Sequence, residues 1–198
     1  MSEILFGQSY YLRFDPKLWE AMQPYPPLGT MYAASFLRQR GYEVTLFDAM
    51  LADSEEQWAE ALDRERPRFA VIYEDSFNYL SKMCLLRMRQ AAFAMIEMAR
   101  DRDCTVVVGG SDATDRPEAY LAQGAHYVLI GEGEQTLAQL LDRLTGGDDL
   151  PLAAIEGLAY RDGTAGLVRT PRRKDIEDLD DLPFPAWDLV DVPRYKEI

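Results

Sequence analysis

Five short apolar runs, each followed by a longer segment of helical pattern, limit the folds that this chain can adopt. The runs lack the alternation of apolar and polar residues that marks a half-exposed strand, so they are predicted to be strands buried on both faces. Strands that alternate with helices build a parallel sheet through right-handed crossovers. The sequence therefore predicts an α/β fold, a five-stranded, doubly wound parallel sheet of Rossmann-like or flavodoxin-like order.

The predicted strands are residues 4–6, 44–47, 69–73, 105–108 and 127–130. The predicted helices are residues 29–40, 54–66, 80–102, 116–123 and 135–144.

The alternation ends at Gly147. Beyond it, two short strand-like segments flank an Arg-Asp-Gly turn at residues 161–163, a pattern typical of a β-hairpin. An acidic strap punctuated by proline follows at residues 175–191. Its apolar residues are too widely separated to bury one another, and they are Phe184, Trp187 and Leu189. We therefore predict a domain at residues 1–147 and a hairpin with a linker at residues 148–198, and we expect the domain to fold without them.

Charge and composition narrow the function classes. The 198 residues carry a formal net charge of −13, which argues against nucleic acid or an anionic membrane as a partner, since both attract basic surfaces. No apolar run approaches the length of a bilayer span, and the amino terminus does not resemble a signal peptide. The two cysteines, Cys84 and Cys104, are predicted to be reduced buried thiols. A cytoplasmic location is expected.

Two glycine-rich turns come directly after the fourth and fifth predicted strands. They are Gly109-Gly110-Ser111 and Gly131-Glu132-Gly133. The carboxyl ends of neighbouring parallel strands form one edge of a ligand crevice, and glycine there lets backbone N–H groups approach a ligand closely. One such turn is explained by helix capping alone, whereas two on consecutive strands favour a ligand.

The turns by themselves leave several ligands to consider. The loop after the first strand, Gly7-Gln8-Ser9-Tyr10-Tyr11, lacks the glycine fingerprint of a dinucleotide site. It also lacks the acidic pair of a response-regulator phosphate site. Flavin stays open, because its phosphate loop is less strict. The alternative without any ligand is that the glycines only form tight turns.

Five short motifs resemble the N-terminal cobalamin-binding domain of cobalamin-dependent radical SAM enzymes, in the order and at the spacings of that family. They lie at residues 25–29 (Tyr-Pro-Pro-Leu-Gly), 109–114, 131–137, 155–158 and 182–188. Two departures stand out. Ser111 and Asp112 replace the Pro-His that the family usually has, and the cluster-binding Cys-x-x-x-Cys-x-x-Cys is absent from this sequence. The chain therefore resembles an excised N-terminal portion or a stand-alone relative, and we expect no cleavage of S-adenosylmethionine by the chain itself.

The resemblance implies that cobalamin's nucleotide tail enters the crevice between the two turns. The residues implied for the tail are Gly109, Gly110, Ser111, Gly131, Glu132, Gly133, Thr136, Asp75, Ser76 and Phe77. Those implied for the lower face of the corrin are Tyr10, Tyr11, Leu28, Gly29, Asp48 and Met50. Met50 either contacts cobalt directly or packs as an ordinary loop residue. No residue of the chain is predicted to be catalytic or to ligate metal, since the one histidine, His126, opens the fifth strand and is expected to be structural.

In the complete enzyme the resemblance implies a radical SAM barrel in the same polypeptide, a 4Fe–4S cluster, S-adenosylmethionine and methyl transfer. The alternative is a stand-alone flavodoxin-like domain that binds flavin or another nucleotide, or that serves only in protein interaction.

Overall fold

The computed structural model describes residues 3–74, 85–163 and 166–197. In these ranges seven strands form one mixed sheet in the order β2-β1-β3-β4-β5-β6-β7. Neighbours from β2 to β5 pair in parallel, and β6 and β7 are antiparallel. The strands are β1 (Ile4–Gly7), β2 (Val44–Leu46), β3 (Phe69–Tyr73), β4 (Thr105–Gly109), β5 (Tyr127–Leu129), β6 (Leu158–Asp162) and β7 (Gly166–Arg169). The α/β class is confirmed, but a sheet of five strands is too small, because the hairpin extends the same sheet.

The helices are α1 (Pro16–Ala21), α2 (Leu28–Gln39), α3 (Glu56–Glu65), α4 (Leu85–Arg100), α5 (Ser111–Asp115), α6 (Pro117–Ala122), α7 (Glu134–Thr145) and α8 (Val192–Glu197). The helix predicted at residues 116–123 is α6, whereas the short helix α5 just before it was not predicted, and a break at Arg116 separates the two. Pro117 explains the break, because proline disfavours a helical conformation in the residue before it.

The sequence analysis missed α1, which lies in the loop after β1. Its local signal is nevertheless clear. The Asp15 side chain accepts hydrogen bonds from the N–H groups of Lys17 and Leu18, both at 3.1 Å, and Pro16 occupies the first helical position. An aspartate followed by proline is a typical helix start.

Alternate residues of each central strand supply the two hydrophobic cores. In β3, Ala70 and Ile72 pack on the face covered by α3, α4 and α6, whereas Phe69 and Val71 pack on the face covered by α2 and α7. Both sets are buried, which is why these runs show no alternation in the sequence. None of the helices in the described ranges is long and apolar enough to cross a membrane.

The hairpin is part of this sheet rather than an appendage. β6 pairs with β5 from Tyr160 to Leu158. Ile155, Leu158 and Ala159 are fully buried in the two cores. The predicted boundary after residue 147 stays a prediction, and this packing argues that the preceding residues depend on the hairpin.

The strap docks on the domain through hydrogen bonds and a few apolar contacts. The N–H of Ile176 donates to Glu132 Oε2 at 2.6 Å, and the N–H of Ala186 donates to the Met31 carbonyl at 3.2 Å. Of its predicted apolar anchors, Leu189 packs against the core, whereas Phe184 is 94% exposed. The strap therefore leads along α2 towards α8.

Helix α8 closes onto the loops after β1 and β2. The Tyr195 hydroxyl donates to Asp48 Oδ2 at 2.7 Å, and Arg194 Nη2 donates to the Leu51 carbonyl at 2.7 Å. Burial raises the pKa of Asp48 to about 6, and the hydrogen bonds from Tyr195 and from the Met50 N–H only partly offset it. Asp48 is therefore a carboxyl group that resists ionisation in the folded state.

Truncation after Gly147 is expected to lower the midpoint of thermal unfolding by about 10 °C or more. It removes three fully buried side chains and turns β5 into an edge strand, a loss on the order of 4 kcal/mol or more. The control is truncation after Lys174, which keeps the hairpin and removes the strap and α8. Equal unfolding midpoints for the two truncations would show that the hairpin lies outside the cooperative unit.

Asp48→Asn is expected to gain stability relative to the parent protein as pH rises. The raised pKa means that the folded state holds a proton which the unfolded state has already lost, so the parent protein loses stability between about pH 4 and pH 6. The stability difference should grow with pH to about 3 kcal/mol and level off above about pH 6. Urea unfolding at pH 4.5 and pH 7.5 measures it, and a difference independent of pH would contradict the burial of this carboxyl.

Candidate functional site

A cavity of about 340 Å³ lies between the two glycine turns at the carboxyl ends of β4 and β5. Four of the predicted tail residues line it: Gly110, Ser111, Gly131 and Glu132. The other lining residues, which the sequence analysis did not select, are Tyr73, Thr114, Asp115, Arg172 and Asp175. The two turns therefore meet at one crevice, as the parallel topology requires.

Thr114 links the two turns. Its hydroxyl oxygen accepts a hydrogen bond from the Gly131 N–H at 3.0 Å and donates to the Leu129 carbonyl at 3.4 Å. The N–H of Thr114 donates to the Gly110 carbonyl at 2.9 Å. One threonine thus fixes the width of the cavity.

The glycines of the turns serve different purposes. A Cβ at Gly110, where φ is 128°, would lie 2.5 Å from the Glu74 Cβ, and one at Gly133 would lie 2.9 Å from the Tyr73 ring. Gly109 is buried beside the same ring. These three glycines make space for protein atoms. Gly131 differs, because its Cβ would point towards the Arg172 guanidinium, 3.2 Å from Nε, inside the cavity.

Tyr73 is the residue that most shapes the crevice and that the sequence analysis missed. Its hydroxyl donates to Glu134 Oε1 at 2.8 Å and accepts from the Gly133 N–H at 3.2 Å. Burial raises the pKa of Tyr73 well above its usual value, so the hydroxyl stays neutral. Its position at the end of β3 was the available signal, since that strand end faces the same sheet edge.

Thr136 lies outside the cavity. It is fully buried, donates to the Glu156 carbonyl at 2.9 Å and accepts from Arg173 Nε at 3.0 Å. These bonds attach α7 to the turn that precedes β6. The structure therefore gives Thr136 a role in packing the hairpin.

The residues predicted beneath the corrin do not form one exposed surface. Tyr10, Tyr11 and Met50 are at most 2% exposed. Tyr10 and Met50 pack with Leu12 and Met88, and Met50 also lines a smaller cavity of about 180 Å³. Met50 thus packs among these loops, and its contact with the cofactor stays a prediction.

The other residues predicted beneath the corrin differ in their exposure. Leu28 is 46% exposed, Gly29 beside it is half-buried, and Asp48 is held by Tyr195 of α8. Three predicted tail residues, Asp75, Ser76 and Phe77, lie outside the described residues.

Asp112 is an anchor rather than a cavity residue. Arg89 binds both of its carboxylate oxygens at 2.6 Å, and the Tyr120 hydroxyl donates to Oδ2 at 2.8 Å. Burial by itself raises the pKa of Asp112, but these hydrogen bonds outweigh it and the net pKa is lowered. The acid therefore fastens α5 to α4 and α6.

His126 lies at the amino end of β5, whereas the cavity lies at the carboxyl end. Its Nδ1 accepts a hydrogen bond from the Val106 N–H at 2.9 Å, and burial lowers its pKa, so the ring is neutral. In the part of the chain that the structure describes, no three His, Cys, Asp or Glu side chains converge as a metal site would require.

Several known proteins resemble this chain. An uncharacterized methyltransferase of Pyrococcus horikoshii is 29% identical over 177 residues, which cover 86% of this chain and 35% of the relative. An anaerobic magnesium-protoporphyrin IX monomethyl ester cyclase of Rubrivivax gelatinosus is 26% identical and covers 86% of this chain. The chain spans between 26% and 38% of the length of the curated relatives it matches.

Solved structures share the fold. The cobalamin-dependent S-adenosylmethionine radical enzyme OxsB, with aqua-cobalamin and S-adenosylmethionine bound, matches the whole chain over 25% of its own length, with a TM-score of 0.74 and 18% identity. The radical S-adenosylmethionine methyltransferase TsrM from Kitasatospora setae, with cobalamin and a [4Fe-4S] cluster bound, matches 93% of the chain over 31% of its own, with a TM-score of 0.65 and 20% identity.

The sequence model of one family covers more than half of the chain. It matches residues 19–141, from α1 to α7, and so includes β2 to β5 and both glycine turns. The chain therefore belongs to the B12 binding domain family.

Proposed function

We propose that the chain binds cobalamin and that the cavity between the two glycine turns takes its nucleotide tail. The observation that carries the proposal is the position of Gly131. Its missing Cβ leaves space beside the Arg172 guanidinium at the cavity wall, whereas the other three turn glycines leave space for Tyr73 and Glu74. A tail in this cavity would lie on the Tyr73 ring, between Ser111 and Thr114 on one side and Gly131 on the other.

The corrin would lie above the loops at the same sheet edge. Leu28, which begins α2, is an exposed apolar residue of that edge. Tyr10, Tyr11 and Met50 would support these loops from beneath, since they are buried. When bound, cobalamin supplies a cobalt centre able to carry a methyl group.

We also propose that the chain acts as the N-terminal module of a radical SAM methyltransferase. Its resemblance to a methyltransferase and to the two cobalamin-bound radical S-adenosylmethionine enzymes supports this assignment. A radical SAM domain in the same polypeptide, with its 4Fe–4S cluster and S-adenosylmethionine, would be the partner. A flavin-binding domain is not favoured by the family match, and the cytoplasmic location stays a prediction.

Cobalt would receive no histidine from this chain. His126 is the one histidine of the sequence, and its ring nitrogen is engaged at the opposite end of the sheet. The tail base would occupy the crevice, so it would not ligate cobalt either.

The protein incubated with hydroxocobalamin is therefore expected to retain the corrinoid through gel filtration in the base-off form. After reduction to cob(II)alamin, electron paramagnetic resonance should show no splitting from an axial nitrogen. His126→Gln is the control and should leave the spectrum unchanged. Retention of flavin in place of cobalamin would overturn the assignment, and nitrogen splitting would overturn the absence of a nitrogen ligand.

Gly131→Ala is expected to weaken cobalamin binding by at least about fivefold, because the new methyl group fills space that the tail needs. Gly146→Ala is the matched control. The two glycines have φ values of 80° and 84°, and a Cβ at Gly146 would meet nothing within 4 Å. Both substitutions should cost about 1 kcal/mol of stability through backbone strain. Equal affinities of the two variants would remove the cavity from the binding site.

A further inference from the structure

Arg172, between β7 and the strap, brings a positive charge into the cavity. Among the described residues that line the cavity it is the one cation, and three others are acids: Asp115, Glu132 and Asp175. The carboxylates and the net charge of −13 make this crevice unfavourable for an anion unless a cation compensates them.

The present partner of Arg172 is weakly held. Its Nη2 lies 3.0 Å from Asp175 Oδ1, and the two side chains are 63% and 61% exposed. An ion pair so open to water contributes little and is easily exchanged. Arg172 can therefore exchange Asp175 for an anion that it binds more tightly.

The two basic residues that follow Arg172 in the sequence make their contacts outside this cavity. Arg173 donates to Thr136 Oγ1 and to Gln139 Oε1, so it is committed to α7. Lys174 lines a different cavity, beside Glu156 and Asp178. Arg172 is therefore the one of these three basic residues that lines the cavity between the glycine turns.

The nucleotide tail of cobalamin is joined to the corrin side chain through a phosphodiester, which carries one negative charge. A guanidinium group matches the paired oxygens of a phosphate with two parallel hydrogen bonds. We propose that Arg172 binds this phosphodiester and exchanges Asp175 for it when the tail enters the cavity. The inference rests on the proposed cobalamin binding and adds a residue that selects corrinoids with a complete tail.

The test compares cobalamin with cobinamide, a corrinoid that lacks the phosphodiester and the nucleotide. Dissociation constants are measured by absorption titration of the full chain for the parent protein and three variants. Arg172→Gln removes the proposed contact. Lys174→Gln is the matched control, because it removes the same charge two residues away. Asp175→Asn removes the competing carboxylate.

Arg172→Gln is expected to weaken cobalamin binding about tenfold and to leave cobinamide binding unchanged. Lys174→Gln should change neither constant, and Asp175→Asn should tighten cobalamin binding alone. Thermal unfolding of each variant without ligand verifies that the fold is intact.

An equal loss for both corrinoids in Arg172→Gln, or no loss for either, would overturn the assignment. Weaker cobalamin binding by Asp175→Asn would overturn the exchange. If the parent protein bound neither corrinoid, the proposed function itself would fail, whereas binding of both with no effect of Arg172→Gln would refute this inference alone.

Discussion

The end of β3 can pack between the two glycine turns only because three glycines lack side chains there. Gly110 leaves space for the Cβ of Glu74, and Gly109 and Gly133 leave space for the ring of Tyr73. The Tyr73 hydroxyl then joins the second turn through Gly133 and Glu134. A side chain at any of these glycines would force β3, β4 and β5 apart at their carboxyl ends, and the crevice depends on that close approach.

Two buried carboxyl groups illustrate how their partners decide the protonation of an acid. Asp112 is fixed by the guanidinium of Arg89 and by the Tyr120 hydroxyl, and its pKa is lowered despite burial. Asp48 accepts hydrogen bonds from the Tyr195 hydroxyl and the Met50 N–H, and burial raises its pKa to about 6. A full positive charge at contact distance outweighs desolvation, whereas neutral donors do not. The first acid therefore stabilises the fold at neutral pH, and the second makes the docking of α8 sensitive to pH.

The strap connects the crevice to the rest of the surface. Glu132, which lines the cavity, accepts the N–H of Ile176, and Arg172 and Asp175 line the same cavity. Further along, the chain reaches α2 through Ala186 and the loop after β2 through Tyr195. The segment that looked like a linker in sequence thus supplies one wall of the candidate site, although its own residues could not form a core.

Local patterns were sufficient for the parts of the fold that depend on neighbours in sequence. Apolar runs without alternation predicted buried strands, and the sheet buries both faces of β3 in agreement. The sequence predicted the hairpin turn at residues 161–163. It did not predict that β6 pairs with β5, because strand pairing depends on contacts between residues that are remote in sequence. The sequence analysis missed helix α1, although Asp15 and Pro16 form a typical helix start.

The sequence by itself determined the α/β class, the edge of the sheet where the site lies, and the family to which the chain belongs. It could not distinguish the turn glycines from one another. A glycine reads the same in sequence whether its missing side chain leaves space for a ligand or for another part of the protein. Only the tertiary structure decided that Gly109, Gly110 and Gly133 face Tyr73 and Glu74, while Gly131 faces the cavity and Arg172. The residues that contact each glycine come from distant segments of the chain. Their positions are fixed by tertiary packing and not by any local sequence pattern.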